Sequence, residues 1–211
     1  MPRDPESTFD PYGGAVPPDV MTGYLAVATP RLADPNFARR VVLVLDHGDH
    51  GALGVVLDRP GGVAIDEILP AWHGLATPPG ELFTGGPVAR NAIIGLVRMC
   101  QPEQPDGTGG ARPEGWKLLI AGEHPVGTVD LGVDPARFAE SMMGARIFSG
   151  YAGWDAGQLE DEIDEGSWYV VPCEEHDPIS ADPEGLWRRV LRRQGGELAV
   201  VSGFPLDPAS N

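Results

Sequence analysis

Lysine is almost missing from this chain: Lys117 is the only one in 211 residues, and arginine supplies the rest of the 15 basic groups. A lysine nucleophile would have to be that residue, whereas planar, bidentate guanidinium chemistry is plentiful. Cysteine is nearly as scarce. Cys100 and Cys173 stand alone with no CxxC spacing, which excludes a disulfide framework and leaves two reduced thiols of a cytoplasmic protein as the expectation. No apolar run approaches the roughly 20 residues that span a bilayer, and MPRDPESTFDPYGG lacks a charged-then-apolar signal pattern. Basic residues are outnumbered 15 to 31, a net charge of −16. That balance disfavours nucleic acid, where phosphate neutralisation dominates binding, and equally disfavours an anionic membrane surface. The motifs GxSxG, HExxH, SxxK and GxxxxGK[ST] are all absent. Neither a cofactor nor a metal is expected, and the chain leans away from being an enzyme.

What the sequence does contain is organised around residues 36–60, NFARRVVLVLDHGDHGALGVVLDRP. Val41 to Leu45 is a continuous β-branched and aliphatic run, too short for an ordinary helix and with no polar alternation, so it reads as a strand covered on both faces. Ala52 to Leu57 reads as its antiparallel partner across the loop HGDHG, and Asp58-Arg59-Pro60-Gly61-Gly62 as a turn. Further strands are expected at 24–29, 81–84, 93–99, 116–121, 126–131, 146–149 and 168–171. Ile65, Ile68, Leu69 and Trp72 make one face of a short helix that Pro70 should end. Asp134-Pro135 should open a helix carrying Phe138 and Met142. Asp155 and Gln158 form a capping-box pair before an acidic helix that buries Leu159 and Ile163 and stops at Gly166. Asp182-Pro183 opens a last helix that buries Leu186, Trp187, Val190 and Leu191 and shows Arg188, Arg189, Arg192 and Arg193 on its outer face. Residues 1–20, with five prolines and four acidic groups, read as a disordered leader, residues 101–115 as a flexible loop, and residues 21–208 as one domain. The expected fold is mixed α+β: a single compact domain with a bent, mixed, largely antiparallel sheet flanked by helices.

The motifs ATPRLADPNFARRVVLVLDHGDHGALGVVLDRP, FTGGPV, GYAGWDAGQLEDEI, SWYVVP and LWRRVLRRQG, in this order, resemble the YqgE/AlgH family of bacterial proteins. The resemblance spans roughly residues 23–208. It implies a compact α/β domain with a bent or bifurcated mixed sheet and no assigned reaction; the name AlgH carries a label of transcriptional regulator. The chain departs from the family pattern at Asp58, where Asn is usual, at Asp46, where Glu is usual, and at His50.

Several residues are candidates for a site. Arg59, between a buried strand and Pro60, suits bidentate binding of a carboxylate or phosphate, or an internal salt bridge to Glu160 or Glu162. Gly85-Gly86-Pro87 can present backbone N–H groups to an anion, or make a tight turn. Trp154, Gln158, Glu160 and Glu162 suit either a pocket wall with acid–base carboxylates or an internal hydrogen-bond cluster. Asp46, His47, Asp49 and His50 have metal-like spacing but read as a solvated turn. A small-ligand pocket is expected to be bordered by Arg59, Gly85, Gly86, Trp154, Gln158 and Glu162. The expected function is non-catalytic binding of a small ligand or a protein partner; the alternative is an enzyme pairing Arg59 with a carboxylate of residues 160–162.

Overall fold

A computed structural model describes residues 10–12, 20–100, 114–137 and 139–204. Most of the expected leader and of the 101–115 loop, and Phe138, lie outside the described residues. The strands are β1 (Tyr24–Ala28), β2 (Val41–Gly48), β3 (Gly51–Val56), β4 (Pro60–Ala64), β5 (Glu81–Thr84), β6 (Val88–Met99), β7 (Trp116–Ile120), β8 (Val126–Val129), β9 (Met142–Trp154) and β10 (Trp168–Pro172). They run in the order β10-β1-β2-β3-β9-β6-β8-β7. β4 pairs with β5, and β5 joins β9 in parallel, whereas the other strand pairs among the described residues are antiparallel. The helices are α1 (Ile65–Ile68, one turn), α2 (Gln158–Asp164), α3 (Leu186–Gln194) and α4 (Gly196–Val201). The mixed α+β fold with a bent, largely antiparallel sheet is the expected one.

Val41, Val42, Leu43 and Val44 are all buried because both faces of this part of the sheet are covered. Side chains alternate faces along a strand, so Leu25, Val27, Val41, Leu43, Val55 and Leu57 point to one side. There they meet Leu186, Trp187, Val190 and Leu191 of α3. The intervening Ala26, Ala28, Val42, Val44 and Val56 point to the other side and pack with Leu159 and Ile163 of α2 and with Trp154 and Trp168. Residues 10–12 reach this second face: the Pro11 carbonyl accepts the Val170 N–H at 2.7 Å, and Tyr12 packs against the tryptophan cluster.

The structure departs from the expectations in four places. The hairpin loop is a two-residue turn, Asp49-His50, because the strands extend to Gly48 and from Gly51, and Gly51 supplies φ +111°. Pro60 to Ala64, read as turn and loop, is β4. The helix expected from Asp134 is only a 3₁₀ turn, Pro135–Arg137; the chain then enters β9, the longest strand, at Met142. Pairing with β6 over Gly144–Ser149 and with β5 over Ile147–Ser149 outweighs the local helical pattern. Finally, α3 starts at Leu186, with Asp182 Oδ1 accepting the Gly185 N–H at 3.2 Å, and a separate α4 follows Gly195.

Candidate functional site

Trp154, Gln158 and Glu162 form one closed cluster. Glu162 Oε2 accepts the indole N–H groups of Trp154 at 3.0 Å and Trp168 at 2.7 Å, and Oε1 accepts the Gln158 amide at 2.8 Å. Gln158 Oε1 in turn accepts the Asp155 N–H at 2.9 Å, which is the reciprocal half of the expected capping box. Phe37 stacks on Trp154 and meets Trp168 edge-on. Glu160 bonds His47 at 2.8 Å, and His47 Nδ1 accepts the Met21 N–H. Both carboxylates suggested as partners of Arg59 are therefore engaged elsewhere.

Gly85 and Gly86 sit where the sheet forks. The Gly85 carbonyl accepts the Val56 N–H and its own N–H bonds the Ser149 carbonyl, both at 2.8 Å, so this turn bridges β3 and β9. A Cβ on Gly85 would stand 2.3 Å from the Gly150 carbonyl oxygen, and one on Gly86 about 2.1 Å from the Tyr151 carbonyl carbon. Close backbone crossing explains both glycines. Arg59 is next to this fork, its carbonyl accepting the Thr84 N–H at 2.9 Å. Trp154 is not: it pairs with Ala52, seven residues and roughly 20 Å of extended chain from Arg59. The expected border divides into Arg59 with Gly85-Gly86, and Trp154 with Gln158 and Glu162.

The Arg59 side opens into a cleft of about 540 Å³ whose lining residues are far apart in the sequence. Four arginines line it: Arg39 and Arg40 from the segment before β2, Arg59 from the bend before β4, and Arg188 from α3. Among the described residues, two carboxyls stand against them, Asp58 and Glu184. Three of the guanidiniums have contacts among the described residues. Arg39 lies over the Trp187 ring at 4.5 Å, Arg40 Nη1 donates to the Asp58 carbonyl at 3.1 Å, and Arg188 donates to the Ser202 carbonyl at 2.9 Å. Arg40 Nε is buried and has no acceptor among the described residues. Arg39 holds φ +59°, a left-handed backbone unusual for a side-chain-bearing residue and a form of strain that clusters at functional sites. Burial, and then the Arg188 charge, lowers its pKa. Asp58 is 1% exposed, and burial raises its carboxyl to about 7 despite the opposing pull of Arg40, the Val41 N–H and Arg59.

Charge elsewhere is better matched. A second cleft, of about 400 Å³, is also rich in arginine, but there Arg193 makes a bidentate pair with buried Asp177 and Arg189 pairs with Asp182. The outer arginine face expected of the last helix is thus divided among the two clefts. Arg146, read only as the start of a strand, is fully buried over Phe83 and bonds the Pro78 and Ser180 carbonyls. Burial lowers it to about 10. Its place within an apolar run, ARIFSG, was the only sign of it in the sequence.

No helix among the described residues is long and apolar enough to cross a membrane. The AlgH-like family model matches residues 25–199. A UPF0301 protein of Streptomyces coelicolor is 50% identical over 192 residues, covering 90% of this chain and 95% of that protein. One from Thermobifida fusca is 49% identical over 197 residues, covering 90% and 96%. Among solved structures, the crystal structure of protein DIP2367 from Corynebacterium diphtheriae superposes with a TM-score of 0.80 at 28% identity, covering 92% of this chain and 97% of that one. The solution structure of AlgH from Pseudomonas aeruginosa gives 0.60 at 27%, covering 90% and 97%. Sequence motifs, forked sheet and near-complete coverage agree: the chain belongs to the AlgH-like family.

Proposed function

We propose that this is a non-catalytic, cytoplasmic binding protein whose small-ligand site is the cleft beside Arg59. One observation carries this: four arginines line a single cavity in a chain of net charge −16. Four arginines against two carboxyls among the described lining residues, one of them the buried Asp58, favour a ligand that brings further negative charge. Among the described residues the cleft lining includes no Ser, Cys or Lys, and Glu160 and Glu162, the carboxylates expected to partner Arg59, are occupied by hydrogen bonds elsewhere, which supports binding over nucleophilic catalysis. A regulatory role, as the label of some relatives suggests, would then act through ligand occupancy or a protein partner; the charge of the molecule speaks against direct DNA contact.

Native mass spectrometry of the purified chain, combined with thermal-shift screening of small polar and anionic molecules, tests this. A copurifying or stabilising molecule whose effect disappears in a folded Arg59→Met variant is expected. A chain that copurifies bare and responds to nothing in the screen would refute the assignment.

A further inference from the structure

The geometry points to a more specific ligand: the cleft takes a compact tetrahedral dianion of the phosphoryl or sulfuryl kind, and takes it up together with a proton on the Asp58 carboxyl. This rests on the assignment of the cleft as the ligand site, and adds both the ligand class and its coupling.

The ligand class follows from the donors. Arg39, Arg40, Arg59 and Arg188 come from three separate segments and surround one cavity, a placement that suits an acceptor with oxygens in several directions better than the two coplanar oxygens of a lone carboxylate. Arg40 keeps a buried Nε with no acceptor among the described residues, and the Arg188 charge adds to burial in lowering the Arg39 pKa. An anion between these groups would satisfy the first and relieve the second.

The proton follows from Asp58. This carboxyl belongs to the cleft lining, is almost fully buried, and is not paired ionically at close range: Arg40 bonds its backbone carbonyl, and the Val41 N–H reaches Oδ1 at 3.3 Å. The charged groups of the same lining are Arg39 and Arg40 before β2, Arg59 on its own bend, and Glu184 and Arg188 from the α3 side. Among the described residues no histidine lines the cleft. An ionised Asp58 competes with the incoming anion for these arginines and repels it. A protonated Asp58 has neither effect, and becomes a neutral polar group of the size of Asn. Uptake of the anion and of the proton therefore favour each other, which is thermodynamic linkage at one site.

Sulfate is the discriminating probe, because it stays dianionic throughout the range used. Isothermal titration of the full chain with sulfate at pH 5.5 and pH 8.5 is expected to show at least tenfold weaker binding at the higher pH. At pH 7, titrations in two buffers of different ionisation enthalpy should reveal net proton uptake by the unmodified protein. Asp58→Asn should flatten the pH dependence, and Arg59→Met should weaken sulfate binding more than tenfold at pH 5.5. Competition by glycerol phosphate at pH 7 separates sources: displacement of sulfate well below equimolar ratio points to an ester, and weak displacement to the free ion; either supports the shared tetrahedral chemistry. Sulfate binding that is equally strong at both pH values without proton uptake overturns the coupling and leaves the cleft assignment standing. Sulfate binding absent at pH 5.5, with an Arg59-dependent response to some other molecule, overturns the ligand class alone.

Discussion

Replacing Glu162 with Ala gives the sharpest test of what holds the acidic helix to the sheet. The substitution removes the common acceptor of two indole N–H groups, one on Trp154, 7% exposed, and one on Trp168, which is fully buried. A buried donor left without a partner costs about 1–3 kcal/mol, and Gln158 loses its acceptor near the surface at smaller cost. The expected loss is therefore about 3–5 kcal/mol, a large part of the roughly 5–15 kcal/mol that keeps a domain folded. With a urea slope of about 2 kcal/mol/M, the midpoint should fall by roughly 2 M. Glu162→Gln keeps one oxygen for the indoles but turns an amide toward the Gln158 amide, so it should lose about 1–2 kcal/mol. Urea unfolding followed by far-UV circular dichroism measures both, and near-UV dichroism reports whether the Trp154–Trp168 edge-on pair persists. A Glu162→Ala variant within about 1 kcal/mol of the parent would refute the structural role and return this carboxylate to the list of ligand-facing groups.

Two other variants are informative. Gly86→Ala should fail to give a native fold, since its Cβ meets Tyr151 and Ala152 backbone atoms at 2.1–2.4 Å; a soluble variant with native near-UV dichroism would contradict the close crossing. Asp58 raised to about 7 in the folded chain, against about 4 when unfolded, gives stability that is complete below about pH 4 and is lost as pH rises through 7. Asp58→Asn should therefore match the parent in acid and exceed it by up to about 4 kcal/mol above pH 8, and parallel melting curves from pH 5 to 8.5 would count against a buried, uncharged Asp58.

The parts of the fold legible in the sequence are those fixed by neighbours along the chain. The Val41–Leu45 run and Leu159 with Ile163 before Gly166 each declare their state locally. β9 declared itself only over 146–149, because the rest of Met142–Trp154 is a strand by virtue of partners 40 to 100 residues earlier. The candidate site divides the same way. Arg59 was visible between a buried strand and Pro60. Arg39 and Arg40 looked like the boundary of a strand and Arg188 like part of a solvated helix face, and only tertiary folding brings them to one cleft. Burial of Asp58, at the end of a strand and inside an expected turn, had no sign in the sequence.

The forked sheet has a consequence for how the chain is made. β3 is complete about 100 residues before β9, its partner on one side, leaves the ribosome. At roughly 5–20 residues per second, the edge of β3 waits about 5–20 s without that partner. Meanwhile β2, already zipped to β3, presents valines and leucines whose covering helices, α2 and α3, come later still. The nascent chain thus carries an apolar, open-edged ribbon for most of its synthesis, and its yield in a cell will depend on chaperone capacity more than on the stability of the finished domain.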